Sequence, residues 1–135
     1  MKHIAIIQWT WGIIQTLFGL LLKLAVKPWT IKSIKHRGAS LTITSLKWGI
    51  SLGHFIIIGE NRPIKTRDHE FGHCIQSAKL GPLYLPVVGL ISISRNIYSI
   101  IVLHKILKWS IKRIIDWYYN GYPEKWADKL GGVTR

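Results

Sequence analysis

Apolar residues run almost unbroken through residues 4–26, interrupted by Gln8, Gln15 and Lys23. A helix of that length reaches across a bilayer. Gln8, Gln15 and Leu22 fall on one helical face, so a helix packed against the rest of the domain also satisfies the pattern. No small-x-small cleavage site follows, which reads as an uncleaved membrane anchor rather than a signal peptide. Residues 29–59 change period. Thr30 to Lys35, Leu41 to Thr44 and Ile50 to Ile58 are β-branched and roughly alternating, with turns at His36-Arg37-Gly38 and Lys47-Trp48-Gly49. That pattern predicts a small antiparallel sheet of two to four strands.

Beyond the sheet the period becomes helical. The spacing predicts a helix over 67–80, with Thr66 as N-cap, Asp68 in the electropositive first turn and Gly81-Pro82 as its stop. Residues 83–119 read as an apolar stretch and then a basic amphipathic helix, in which Ile100, Ile101, Ile111, Ile114 and Ile115 interleave with Lys105, Lys108, Lys112 and Arg113. Pro86, Gly89 and Arg95 predict two helices here, bent near 92–96, on an in-plane or re-entrant path. Pro123 suits a first helical position and opens a short helix over 123–130. The fold class expected is α+β: an N-terminal apolar helix, a small antiparallel β-sheet, a central helix and C-terminal amphipathic helices, in one domain of 135 residues.

Charge changes the picture. The chain is 48% apolar, yet its formal net charge is +13. Apolar and basic together point to an anionic membrane as a partner. Seven Trp and five Tyr fit a lipid–water interface, and are ordinary core residues as well. The cations are dispersed and no nucleic-acid motif is present, so nucleic acid is not an expected partner. Lys2 precedes the first apolar run, while Lys27, Lys32, Lys35 and Arg37 follow it. By the positive-inside tendency the remaining chain faces the cytoplasm, at an inner membrane. Cys74 is the one cysteine, which excludes an internal disulfide and suits a small core residue.

The chemistry is concentrated in Asp68-His69-Glu70-Phe71-Gly72-His73-Cys74-Ile75-Gln76-Ser77. On a helix, His69 and His73 lie one turn apart on one face, where both imidazoles reach one Zn²⁺. Glu70 stands beside them as general base of a zinc hydrolase. Gln76 shares that face, as a substrate contact or as a structural hydrogen bond. Gly72 leaves the helix flank open to another backbone. Catalytic zinc takes a third protein ligand. Glu60 is too close before the motif, Asp68 points off the face, and Asp116 lies in the basic helix. Glu124 and Asp128 remain, four apart on one helical face. Of the other histidines, His54 lies nearest the motif, in the strand region before it.

H-E-F-G-H followed downstream by E-K-W-A-D resembles the gluzincin zinc metallopeptidases, among them thermolysin and the membrane CAAX-type prenyl-protein proteases. That resemblance implies Glu124 as third ligand and Asp128 as the hydrogen-bond partner that orients His69. The wider pattern, H-E-F-G-H-C-I-Q-S, then L-G-P-L-Y and E-K-W-A-D-K-L-G-G-V, also resembles small bacterial membrane-linked proteins of unassigned function. About half the chain is covered. The chain is far shorter than gluzincin peptidases, so their substrates do not carry over. The expected activity is a membrane-associated zinc peptidase acting on a peptide or protein. The alternative is a non-enzymatic basic membrane-interacting protein. Tyr118, Tyr119 and Tyr122, near Glu124, are candidates to stabilise an oxyanion. The Ile50–Ile58 strand region is a candidate edge for holding an extended peptide, or is a purely structural hairpin.

Overall fold

Two glutamines decide what the N-terminal apolar run becomes. In the computed structural model, which describes residues 2–135, this run forms α1 (Lys2–Thr10) and α2 (Ile13–Ala25). The two helices are bent by 97°. Gln8 and Gln15 are fully buried in the elbow. Gln8 Nε2 donates to the Cys74 carbonyl at 2.7 Å, and Ser77 Oγ donates to Gln8 Oε1 at 2.9 Å. Gln15 Nε2 donates to Ser77 Oγ and to the Gly81 carbonyl, both at 2.9 Å. A buried amide left without partners costs about 1–3 kcal/mol. The bend turns both amides onto the central helix. The single straight anchor expected over 4–26 is therefore not what forms. The outer side of the elbow stays apolar, with Ile6, Trp11, Phe18, Leu21 and Leu24 exposed.

The sheet contains β1 (Thr30–His36), β2 (Ala39–Thr44), β3 (Ile50–Leu52) and β4 (Phe55–Gly59), in the order β1-β2-β4-β3. β1–β2 and β3–β4 are antiparallel hairpins, but β2 and β4 pair in parallel. The sheet is thus mixed, not wholly antiparallel as the alternation predicts. The reason lies in β4, Phe55-Ile56-Ile57-Ile58-Gly59, which is buried at every position. A strand apolar on both faces belongs inside a sheet. It takes the place next to β2 and leaves three-residue β3 at the edge. Ala39, Leu41, Ile56 and Ile58 then pack against Phe71 and Cys74 of the central helix.

That helix, α3, spans Ile64–Leu80. It begins earlier than the spacing predicts because Pro63, in extended backbone, takes the N-cap and leaves Thr66 inside the first turn. A helix of 22 residues, α4, runs from Leu85 to Ile106 with wide π-type turns at Leu85–Gly89 and Ser99–Ile106. The bend expected near 92–96 is absent. Pro86 stands in the first turn, where a missing N–H is harmless. Arg95 breaks nothing because it is partnered: its guanidinium lies 3.9 Å from the Trp117 ring centroid and donates to the Trp117 carbonyl at 2.7 Å. The chain reverses at 107–110 instead. α5 (Ile111–Asn120) returns along α4, bringing Tyr118 to Ser92 and α6 (Glu124–Gly131) to α3.

Two glycines set how closely α6 approaches. A Cβ at Gly72 would stand 1.9 Å from the Ala127 carbonyl oxygen, and one at Gly131 would stand 2.0 Å from that of Asp68. Each would push the helices apart. At Gly89 a Cβ would meet nothing nearer than 3.7 Å. Gly72→Ala should therefore destabilise the protein by about 3 kcal/mol through backbone overpacking. Gly89→Ala should be neutral or stabilising by up to about 1 kcal/mol, the helix-propensity gain. Denaturant midpoints of the two variants measure the difference, and equal midpoints would remove the close-packing account.

Candidate metal centre

α3 and α6 meet around three side chains, His69, His73 and Glu124, which are 3%, 7% and 1% exposed. One potential ligand atom from each lies within 4.8 Å of the others. Glu124 Oε2 is 3.0 Å from His69 Nε2 and 3.2 Å from His73 Nε2. The far side of each ring decides what the near side offers. His69 Nδ1 faces Asp128 Oδ1 at 2.7 Å, so it donates to a carboxylate. His73 Nδ1 faces Gln76 Oε1 at 2.7 Å. The Gln76 amide cannot be reversed without loss, since its Nε2 donates to the Pro123 carbonyl at 3.0 Å. Both neutral rings therefore carry their proton on Nδ1 and point an Nε2 lone pair at one carboxylate oxygen. Three acceptors facing one point require a cation or a proton between them. Two imidazoles and a carboxylate, each anchored from behind, fit a tetrahedral divalent ion with one position open.

The electrostatics agree with positive charge at this point, whether a proton or a metal ion. Burial pushes the Glu124 carboxyl upward, but hydrogen bonds from His69 and His73 outweigh it and hold the group well below the usual carboxylate range. Burial pulls His73 down, yet the hydrogen bond and charge of Glu124 outweigh it and raise the ring to about 9. Glu70 is different. Burial dominates over the nearby His73 and His69 charges and raises its pKa.

A cavity of about 650 Å³ opens over the three ligands, and Glu70 lies in its wall beside them. Gly49, Ile50, Ser51 and Leu52 form one side, and Leu85, Val88, Leu90, Ser92 and Ile93 of α4 form the other. Gly49 belongs there sterically, because a Cβ would lie 3.3 Å from Glu70 Oε1. β3 is the sheet edge on the cavity side, and β1 is the other edge. In an antiparallel pair alternate residues turn their main chain outward. Ser51 does so, since its carbonyl accepts from Tyr84 O–H at 3.2 Å, away from β4.

The remaining expected residues separate cleanly. Asp128 is the partner of His69, and its other oxygen accepts from Arg135 Nε at 2.6 Å. Gln76 is fully buried and committed at both ends of its amide, so it orients His73 and is not a substrate contact. Tyr118 lines the cavity but lies 3.1 Å from Glu124 Oε1, to which it donates. Tyr119 also lines the cavity, its ring edge-on to His69 with centroids 5.1 Å apart. Tyr122 does not reach the site. It stacks on Trp126 and donates to the Val87 carbonyl at 3.1 Å. His54 lies at the β3–β4 turn beside Trp9 and Phe55, outside the cavity. Cys74 is buried against Ser51, and burial raises its thiol to about 12, so it is inert core. Asp68 pairs with His36 at 3.1 Å and Arg37 at 3.6 Å, off the ligand face.

Sequence reasoning misses Ser92 and Arg135. Ser92 Oγ donates to Glu124 Oε1 at 2.5 Å. Its only signal in the sequence is a hydroxyl set three residues before Arg95 in an apolar stretch.

The raised His73 implies competition between metal and proton. Below about 9 the metal-free ring holds a proton that a ligand nitrogen must give up. Apparent Zn²⁺ affinity of the metal-free protein should therefore rise by about tenfold per pH unit through the neutral range and level off above the His73 pKa. Calorimetric titration at several pH values, in buffers of different ionisation enthalpy, reads both the slope and the proton released. A pH-independent affinity between pH 7 and 9 would show that the metal-free His73 ring holds no proton in that range.

Comparison of the chain with protein-family models, curated proteins and solved structures finds no match.

Proposed function

We propose that the chain is a zinc-dependent peptidase that works at a membrane. The observation that carries this reading is the convergence of His69 Nε2, His73 Nε2 and Glu124 Oε2 on one point of a cavity wall that also holds Glu70. When bound, Zn²⁺ supplies a Lewis acid that acidifies an attacking water and polarises the scissile carbonyl. Glu70 takes the proton of that water and passes it to the leaving amine. Its burial favours the protonated form it must hold between those two acts. Tyr119 is the oxyanion donor left over once Tyr118 is committed to Glu124 and Tyr122 lies elsewhere. Burial, ahead of other influences, raises its pKa and keeps the phenol protonated. An extended peptide lies along β3, an edge strand that lines the cavity.

The membrane part of the reading rests on surface chemistry. α4 is long and apolar enough to cross a bilayer, and only 11% of its apolar window is buried. Leu90, Ile93, Ile97, Ile100 and Ile101 are exposed along it. Lys105, Lys108, Lys112 and Arg113 gather where it ends, suited to anionic headgroups. The cytoplasmic orientation rests on this attraction to an anionic inner leaflet. The same surface supports the alternative of a basic membrane-interacting protein without catalysis.

One pair of variants separates the two readings. Glu70→Gln should keep stoichiometric zinc and lose about 10²–10⁴-fold in peptide hydrolysis. Tyr119→Phe should keep zinc and lose about 10²-fold or more in kcat with KM little changed. Zinc content by elemental analysis and cleavage of a quenched peptide library, both with purified protein in lipid vesicles, provide the measurements. A wild-type protein that holds zinc and cleaves nothing, or a Glu70→Gln variant of undiminished rate, would favour the non-catalytic alternative.

A further inference from the structure

α4 lies mostly outside the fold, yet one of its side chains touches a ligand of the candidate metal centre. Ser92 Oγ donates to Glu124 Oε1 at 2.5 Å. Tyr118 O–H stands 3.1 Å from that same oxygen and 3.1 Å from Ser92 Oγ. Each hydroxyl has one proton. The Ser92 proton goes to Oε1, and the Tyr118 proton goes to Oε1 or to Ser92 Oγ. In either arrangement Oε1 is held on the side away from the histidines, and Oε2 alone faces them at 3.0 and 3.2 Å. A carboxylate without such partners rotates about its last bond and offers either oxygen, or both, to a cation.

We propose that Ser92 is a positioning residue for the metal ligand Glu124, and that through it α4 is a working part of the metal centre. This rests on the reading of His69, His73 and Glu124 as a metal site. The arrangement completes a pattern in which each ligand has its own anchor. Asp128 holds His69, Gln76 holds His73, and Ser92 with Tyr118 holds Glu124. Ser92 is itself held in place one turn along, where Arg95 donates to the carbonyls of Trp117 at 2.7 Å and Tyr118 at 3.3 Å and lies over the Trp117 ring. The Arg95 contacts fix α4 against the segment that carries Tyr118. The serine thereby reaches a carboxylate 32 residues away in sequence.

The test uses the full chain in lipid vesicles or detergent, with Ser92→Ala and Ser92→Thr. Alanine is the better helix former, so folding of the first variant is not at stake. Threonine keeps the hydroxyl. Zinc affinity is read by chelator competition, and ligand geometry by the visible absorption of the Co²⁺-loaded protein. Ser92→Ala should bind zinc about 10–100-fold more weakly, the usual cost of removing a partner of a metal ligand. Its Co²⁺ bands should shift in position and intensity as the freed carboxylate changes its mode of coordination. Ser92→Thr should restore both affinity and spectrum. Tyr118→Phe should give a smaller loss, since Ser92 still holds Oε1. The inference is overturned if Ser92→Ala matches wild type in affinity and spectrum. It is also overturned if threonine fails to rescue the loss, which would make the serine a packing residue. A wild-type protein that takes up no stoichiometric metal overturns the metal-centre reading itself, together with this inference.

Discussion

The contact on which everything else depends is the backbone-to-backbone approach of α3 and α6. Gly72 and Gly131 lack the atoms that would collide with the Ala127 and Asp68 carbonyls. Because the helices touch there, short side chains span the gap: a carboxylate at Glu124 meets two imidazoles one turn apart, and a carboxylate at Asp128 reaches the far edge of one of them. A separation larger by a methyl group would leave Glu124 short of both rings, a buried carboxylate with hydroxyls for partners and no cation beside it. Burying an unpaired carboxylate is expensive enough that the group would neutralise instead. Close packing and the chemistry of the site are therefore the same constraint.

Around that contact the molecule buries several polar side chains and leaves much apolar surface outside. Gln8, Gln15, Ser77 and Thr16 form a buried network beneath α3, while the outer faces of α1 and α2 are Ile, Leu, Trp and Phe. α4 repeats the arrangement, with Ser92 and Arg95 turned toward α5 and α6 and isoleucines turned away. In water, exposed apolar area of this extent is a liability, and it ordinarily marks an interaction surface. Beside lipid it is the lower-energy face.

The sequence by itself determined the parts of the protein that depend on local spacing. His69, Glu70 and His73 share a face because a helix repeats every 3.6 residues, and α3 is helical as expected. The α+β class, the strand-rich 29–59 region and the pairing of Glu124 with Asp128 on one turn follow from the same short-range periodicities. Gly72 was legible as a place of close approach, since glycine inside a helix is unfavourable unless something needs the room.

What only the tertiary structure decided are the relations between distant segments. Periodicity shows that Gln8 and Gln15 lie on one face, but the partners that bend their helix by 97° are 62 or more residues away. The parallel pairing of β2 with β4 follows from a competition among strands for the buried place, which no single strand reveals. Arg95 looks like a helix breaker until Trp117 is beside it. Tyr118, Tyr119 and Tyr122 look alike in sequence, and the turn before α6 sends one to a ligand, one to the cavity and one to Trp126. Ser92 carries almost no signal of its role. A hydroxyl in an apolar stretch acquires meaning only when the chain reversal at 107–110 brings a carboxylate to it, and that depends on the packing energy of the whole rather than on any window of the chain.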